Sequence, residues 1–211
     1  MKETYIFDFD GTLVDSMTPA VKVLLEYLDE RGARYPDDIV KTIIPLGYKG
    51  IADYYVKEFG LTELPQEVYD TVVERLEGVY ANAVMAKPEV EKTLAALKAR
   101  GASLSVLTAS PHVFLDPCIK RLGWEKYFDN LWSSDDFEMK KAEPFIYKEA
   151  VKRLRVQPSD CFMVDDNVKA LSAAKEAGLK TIAVYDSFSK DYEKEMRSFA
   201  DKYAVVFDEI L

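Results

Sequence analysis

Cysteine is scarce in this 211-residue chain: Cys118 and Cys161 are the only two. That is too few for a disulfide framework, and nothing around them has the spacing of a zinc site. Both are expected to be reduced, partly buried thiols of a cytoplasmic protein. Histidine occurs once, as His112, and is expected to be a surface or loop residue with no role. Positive charge is in deficit, with 28 Lys+Arg against 37 Asp+Glu and a net charge of −9. This balance argues against broad binding to nucleic acid or anionic membrane, while leaving room for a local basic pocket that holds a phosphate. No apolar run reaches the roughly 18 residues that a membrane span needs. The N-terminus enters a strand pattern at once, without the basic-then-apolar layout of a signal peptide. Internal repeats and low-complexity segments are absent as well.

What is present is an ordinary globular composition, 48% hydrophobic and 31% charged. It is enough to bury a full core as one domain, or as one domain with an insertion. Residues 4–7 read as a short buried strand of aromatic and β-branched residues. From residue 88 onward helices and strands alternate. Residues 88–100 form a helix, with Pro88 in its first turn and Gly101 as its stop. Residues 103–108 alternate with period two as a strand. Helices follow at 114–122, 145–154 and 168–177, and strands at 130–133, 161–164 and 180–185, with a last edge strand at 204–207. Repeated β-α-β units imply an α/β fold: a Rossmann-like, doubly wound parallel sheet with helices on both faces.

Residues 16–85 differ. They hold no strand pattern, and 20–31, 50–59 and 65–80 read as amphipathic helices punctuated by Pro36, Pro45, Gly47, Gly60 and Pro65. A helical block between the first strand and the rest of a parallel sheet reads as an inserted cap. The expected division is a core of residues 1–15 and 86–211 and a helical cap of residues 16–85.

The sharpest local feature is Phe7-Asp8-Phe9-Asp10-Gly11-Thr12, which ends the first strand with two carboxylates. The turn at Gly11 can aim one carboxylate and one backbone carbonyl into a common space. That is a hard-oxygen site suited to Mg²⁺, with a carboxylate left over as a nucleophile. In an open parallel sheet, ligands bind beyond the carboxyl ends of the strands. Other polar residues sit at such ends: Thr108-Ala109-Ser110 after one strand and Asp165-Asp166 after another, with Lys141 ahead of the helix leading into the latter. Each has a plainer reading. Thr108 can cap a helix, Asp165 and Asp166 can be helix N-caps, and Lys141, next to Lys140, can be solvated.

Taken in order, these segments resemble the haloacid dehalogenase-superfamily phosphatases, in the phosphoglycolate phosphatase and β-phosphoglucomutase-like subgroup with a small helical cap. Asp8-Phe9-Asp10-Gly11-Thr12-Leu13-Val14-Asp15-Ser16 resembles the family's first motif and Leu107-Thr108-Ala109-Ser110 its second. Lys141-Ala142-Glu143-Pro144-Phe145-Ile146-Tyr147 resembles the third, with Ala142 where a proline is common. Val164-Asp165-Asp166-Asn167 followed by Ala173-Ala174-Lys175-Glu176-Ala177-Gly178 resembles the fourth.

The resemblance implies a Mg²⁺-dependent hydrolase of a small-molecule phosphomonoester. Asp8 would be the nucleophile and Asp10 the general acid and base. Mg²⁺ would be bound by the Asp8 carboxylate, the Asp10 carbonyl and Asp166, with Asp165 either a second ligand or a support behind the first. Thr108, the Ala109 amide and the Gly11 turn would hold the phosphate, and Lys141 would offset its charge. Many relatives have a further Asp four residues after the ligand. Here Ala170 stands there, as in relatives with an acidic pair in the Asp165-Asp166 slot. Met17-Thr18-Pro19 follows the first motif without the histidine that most β-phosphoglucomutases carry, which argues against mutase activity. The cap is expected to close over the site, and Lys49, beside Tyr48, Tyr54 and Tyr55, is a candidate contact for an anionic substrate tail; the competing reading leaves it solvated. No nucleic-acid or membrane partner is expected, and the chain would act as a monomer or homodimer. A receiver-domain switch is disfavoured by the helical block and by acidic residues on the first strand. An idle scaffold of the same fold is disfavoured by the intact Asp8, Asp10, Lys141 and Asp166.

Overall fold

The computed structural model describes residues 3–211, so residues 1 and 2 of the expected core segment lie outside the described residues. The chain divides into two compact units, Met1–Ser16 with Val84–Leu211, and Met17–Ala83.

The first unit is built on a six-stranded parallel sheet. Its strands are β1 (Thr4–Phe7), β4 (Ser103–Thr108), β5 (Asn130–Ser133), β6 (Cys161–Asp165), β7 (Lys180–Val184) and β8 (Lys202–Ala204), in the order β5-β4-β1-β6-β7-β8. The missing numbers, β2 (Val14–Asp15) and β3 (Met85–Ala86), form a separate two-residue antiparallel ladder. Four helices connect the parallel strands: α5 (Val90–Ala99), α6 (His112–Leu122), α7 (Pro144–Leu154) and α8 (Val168–Glu176). A fifth, α9 (Glu193–Phe199), precedes β8. All four residues of β1 are buried, as a central strand covered on both faces must be. Around it Ile6, Leu107, Met163, Ile146, Leu171 and Ala174 form one apolar cluster in which none is exposed.

Sheet order fixes where chemistry can occur. The chain passes from β1 to β4 and β5 on one side, then returns to lay β6, β7 and β8 on the other. The order therefore reverses at β1, where a crevice opens beyond the carboxyl ends of neighbouring strands. Register pairs Phe7 with Val106 of β4 and with Val164 of β6. Asp8 thus sits level with Leu107, next to the end of β4, and with Asp165, the last residue of β6, and its amide extends the ladder by donating to the Val164 carbonyl at 2.9 Å.

The second unit is helical: α1 (Met17–Asp29), α2 (Ile39–Ile43), α3 (Gly47–Phe59) and α4 (Pro65–Asn82). Pro65 occupies the first turn of α4, where a missing N–H costs nothing. Its core places Leu24, Tyr27, Tyr55 and Leu76 wholly out of solvent. Tyr27 and Tyr55 stack at 6.2 Å, and the Tyr55 hydroxyl donates to the Leu24 carbonyl at 3.0 Å. Arg31 lies over the Tyr27 ring at 3.5 Å and donates to Glu63 at 2.6 Å.

Three expectations need correcting. Residues 204–207 are not a strand: β8 ends at Ala204, and Val205 and Val206 instead donate their amides to the Glu209 carboxylate. Met85 is not in a strand-free block but opens β3, a ladder too short to show a period in sequence. Helix α9 was not anticipated, because in Glu-Lys-Glu-Met-Arg-Ser-Phe only Met196 is buried and a single apolar anchor gives no stripe.

Candidate active site

The site grows from the turn after β1. The amides of Leu13 and Val14 both donate to the Phe9 carbonyl, at 2.9 and 3.1 Å, and Gly11 donates to Val14 at 3.0 Å. This tight reversal requires a left-handed residue, and Gly11 has φ of 74°. A Cβ on Gly11 would also lie 2.9 Å from the Asp166 carboxylate atoms. Both conditions favour glycine over any other residue. Gly11→Ala is therefore expected to cost about 1–2 kcal/mol of backbone strain and to push Asp166 off its position, with kcat falling by about 100-fold. Steady-state kinetics with a melting curve would check it; wild-type turnover by the variant would contradict it.

Asp8, Asp165 and Asp166 converge beyond the strand ends, each offering one carboxylate oxygen within 4.8 Å of the others. Lys141 reaches in from the loop before α7. Its Nζ donates to Asp8 Oδ1 at 2.5 Å and to Asp165 Oδ2 at 2.7 Å. The Lys141 side chain is 10% exposed and that of Asp165 is 0%, so the charge bridge is nearly dry and the solvated reading of Lys141 fails. The Lys141 carbonyl accepts a hydrogen bond from the Tyr147 hydroxyl at 2.8 Å, which ties the loop to the first turns of α7. Asp165 gives its other oxygen to the Asn167 amide at 2.8 Å. Asp166 accepts from the Thr12 hydroxyl at 3.1 Å. Neither aspartate caps α8, because Asn167 is the N-cap and accepts from the Lys169 and Ala170 amides.

The electrostatics follow from crowding acids in a dry space. Burial pushes the Asp8 carboxyl up to about 7; Lys141 pulls it down, and Asp165 and Asp10 push it further up. Asp166 is raised well above the usual carboxylate range by burial first, then by Asp165, Asp8 and Asp186, with Lys87 opposing. Burial works against the Lys141 charge, yet Asp165 and Asp8 outweigh it and hold the ammonium protonated. Three carboxylates share one ammonium, and the cluster needs further positive charge to ionise fully.

Asp10 points elsewhere. Its Oδ1 accepts from the Ser16 hydroxyl at 2.5 Å and its Oδ2 from the Ser110 hydroxyl at 2.6 Å, with the Thr108 hydroxyl at 3.5 Å. The Thr108 hydroxyl also accepts the Ser110 amide at 3.0 Å. It does not cap α6, whose N-cap is Pro111. Ala109, next to it, is exposed. Ser16 and Ser110 were not among the expected site residues; each is the last residue of its motif, but serine in a turn carries no signal of its own. His112 opens α6 beside two acids. Its two ring nitrogens lie 2.9 Å from Asp116 and 2.9 Å from Asp136, and the hydrogen bond with Asp116 leads in raising its pKa. Lys49 lies in the helical unit, exposed at the start of α3, with its Nζ 6.0 Å from the centre of the Tyr69 ring. Cys118 and Cys161 are free and fully buried.

Residues 5–184 match the family model described as haloacid dehalogenase-like hydrolase. The chain belongs to the haloacid dehalogenase-like hydrolases. It is 27% identical to a phosphoglycolate phosphatase of Psychrobacter arcticus over 93% of this chain and 88% of that one. It is 25% identical to the phosphorylated carbohydrates phosphatase of Thermotoga maritima, over 85% of this chain and 83% of that one. Among solved structures it superimposes on CbbY of Rhodobacter sphaeroides in complex with phosphate, with a TM-score of 0.84 and 22% identity, over 100% of this chain and 96% of that one. That likeness covers the whole fold. Within this hydrolase family, the expectation of an α/β core carrying an enzyme's site holds. The switch-domain and scaffold readings fall away. No helix among the described residues is long and apolar enough to cross a membrane.

Proposed function

We propose that this hydrolase cleaves small phosphomonoesters with the help of Mg²⁺, through a covalent aspartyl-phosphate on Asp8. The observation that carries the reading is Lys141, held between Asp8 and Asp165 at 2.5 and 2.7 Å, with Asp166 completing the group of converging acids. The donors are all hard oxygens and carry a net negative charge, which fits Mg²⁺. Asp8, Asp166 and the Asp10 carbonyl would hold it, while Asp165, engaged by Lys141 and the Asn167 amide, orients the lysine. A bound Mg²⁺ supplies charge neutralisation for the phosphoryl oxygens and keeps the acids ionised.

The chain's own residues do the rest. An Asp8 oxygen attacks phosphorus; the new O–P bond forms as the ester O–P bond breaks. Asp10 gives its proton to the departing alkoxide. It then takes a proton from water, which attacks the phosphorus of the aspartyl-phosphate, releases inorganic phosphate and restores Asp8. Ser16 and Ser110 keep the Asp10 carboxylate aimed. Thr108 and the Ala109 amide receive phosphate oxygens, and Lys141 offsets the charge that spreads over them. Hydrolysis is favoured over phosphosugar mutation, because Met17-Thr18-Pro19 follows the first motif without a histidine. The relatives' names direct the substrate search to phosphoglycolate and phosphorylated carbohydrates, and the expected setting is the cytoplasm.

Phosphate release from a panel of 2-phosphoglycolate, hexose and pentose phosphates, with Mg²⁺ and with EDTA, tests the reading. Release that needs Mg²⁺ is expected; none from any ester would count against it.

Metal and proton should also compete for the cluster. Asp8 and Asp166 have folded pKa values above their unfolded ones. The metal-free fold therefore holds protons that the unfolded chain has released, and it loses stability as pH rises from about 4 towards 7. Mg²⁺ should restore more as pH rises. At 100 times Kd the gain is about 2.7 kcal/mol, or about 5–10 °C in Tm. Melting curves at pH 8 should show that gain, and curves at pH 5 a smaller one. Equal shifts at both would contradict the assignment.

A further inference from the structure

A second lysine, Lys87, reaches the turn after β1. Lys87 follows β3, and its Nζ donates to the Gly11 carbonyl at 2.6 Å, the Tyr185 carbonyl at 2.7 Å and Asp186 Oδ2 at 3.0 Å. An ammonium has three protons, and each has an acceptor. The side chains are 17% exposed for Lys87 and 6% for Asp186. Asp186 is itself fixed, with its other oxygen taken by the Phe188 amide at 2.9 Å. The Lys87 amide also donates to the Leu13 carbonyl at 3.0 Å, so backbone and side chain both grip the same turn. Lys87 lies 76 residues from Gly11 and belongs to none of the motifs.

We propose that Lys87, held by Asp186, is a positioning residue for the Asp10-Gly11-Thr12 turn. It touches neither phosphate nor nucleophile. It fixes the Gly11 peptide, and with it the orientation of the Asp10 and Thr12 groups on either side. A surface ion pair would contribute about 0–1 kcal/mol. A half-buried ammonium whose three acceptors are two backbone carbonyls and one carboxylate instead determines where those carbonyls sit. Charge pairing alone does not explain the arrangement, since the Gly11 and Tyr185 carbonyls carry no net charge. The functional part of this inference rests on the phosphatase reading; the structural part does not.

The test compares wild type, Lys87→Met and the double variant Lys87→Met/Asp186→Asn. Methionine keeps the length and removes the ammonium, and the double variant leaves no buried carboxylate orphaned. Two readouts are taken. Amide hydrogen exchange is followed in the peptide covering residues 8–16. Steady-state kinetics are measured on whichever phosphomonoester the wild type turns over. Both variants should show exchange at least about tenfold faster in that peptide, with the helical unit unchanged. Their kcat should fall by about 100-fold and KM by less than threefold. Recovery of wild-type exchange and kcat in the double variant would overturn the proposal, since it would reduce Lys87 to charge balance for Asp186. Unchanged exchange in both variants would overturn it too. If the wild type hydrolyses nothing but exchange responds as described, the phosphatase reading falls and the anchoring of the turn stands.

Discussion

Asp8→Asn is expected to abolish phosphate release while leaving the fold as stable as wild type or more so. An amide oxygen of this kind does not form the covalent phosphoryl intermediate, and removing a nucleophile costs on the order of 10⁴-fold or more in kcat. Stability should move the other way from the usual active-site lesion. The Asp8 carboxyl sits among Asp165, Asp166 and Asp10, and burial already raises its pKa to about 7. Losing its charge relieves repulsion, while Lys141 keeps Asp165 as its partner at 2.7 Å. Melting curves beside kinetics separate the two effects. A dead variant with a Tm well below wild type would mean that Asp8 serves the fold first.

Lys141→Met should give the opposite pair of results, inactive and unstable together. The ammonium is joined to both Asp8 and Asp165. Removing one partner of a buried ion pair costs about 3–5 kcal/mol, because the charges left behind are neither solvated nor paired. For a chain of this size that is a Tm loss of about 6–20 °C. The loss should shrink at low pH, where the stranded carboxyls take up protons, and in Mg²⁺, which supplies the missing charge. The kinetic defect should persist under both conditions, since neither restores the charge that the proposed mechanism takes from Lys141. Retention of wild-type Tm at pH 8 in EDTA would contradict the account.

How much of this was legible in the sequence depended on how local each signal was. Thr4–Phe7, Ser103–Thr108 and Asn130–Ser133 form strands at the expected residues, because short apolar or alternating runs bounded by turn residues admit few other readings. The convergence of Asp8, Lys141 and Asp165–Asp166 also followed, since each stands at the end of a parallel strand or before the helix leading to one, and the topology gathers strand ends. Contacts with no local pattern were not legible. Ser110 holds Asp10 only because the turn after β1 and the loop after β4 meet, and Ser16 only because the chain doubles back within six residues. The grip of Lys87 on Gly11 depends on a two-residue ladder, Val14–Asp15 against Met85–Ala86, that brings residue 87 beside the turn. The pairing of His112 with Asp136 was not legible either, because the two lie 24 residues apart.

The central claim is covalent: the phosphoryl group passes through Asp8. The most direct measurement is an acid quench of wild-type enzyme turning over a phosphate-labelled ester, followed by peptide mapping of the label. The account predicts label on the peptide containing Asp8, acquired within the first turnover, discharged when substrate runs out, and missing from Asp8→Asn. Label on another residue, or none on Asp8 in quenched samples from an enzyme releasing phosphate at full rate, would contradict it.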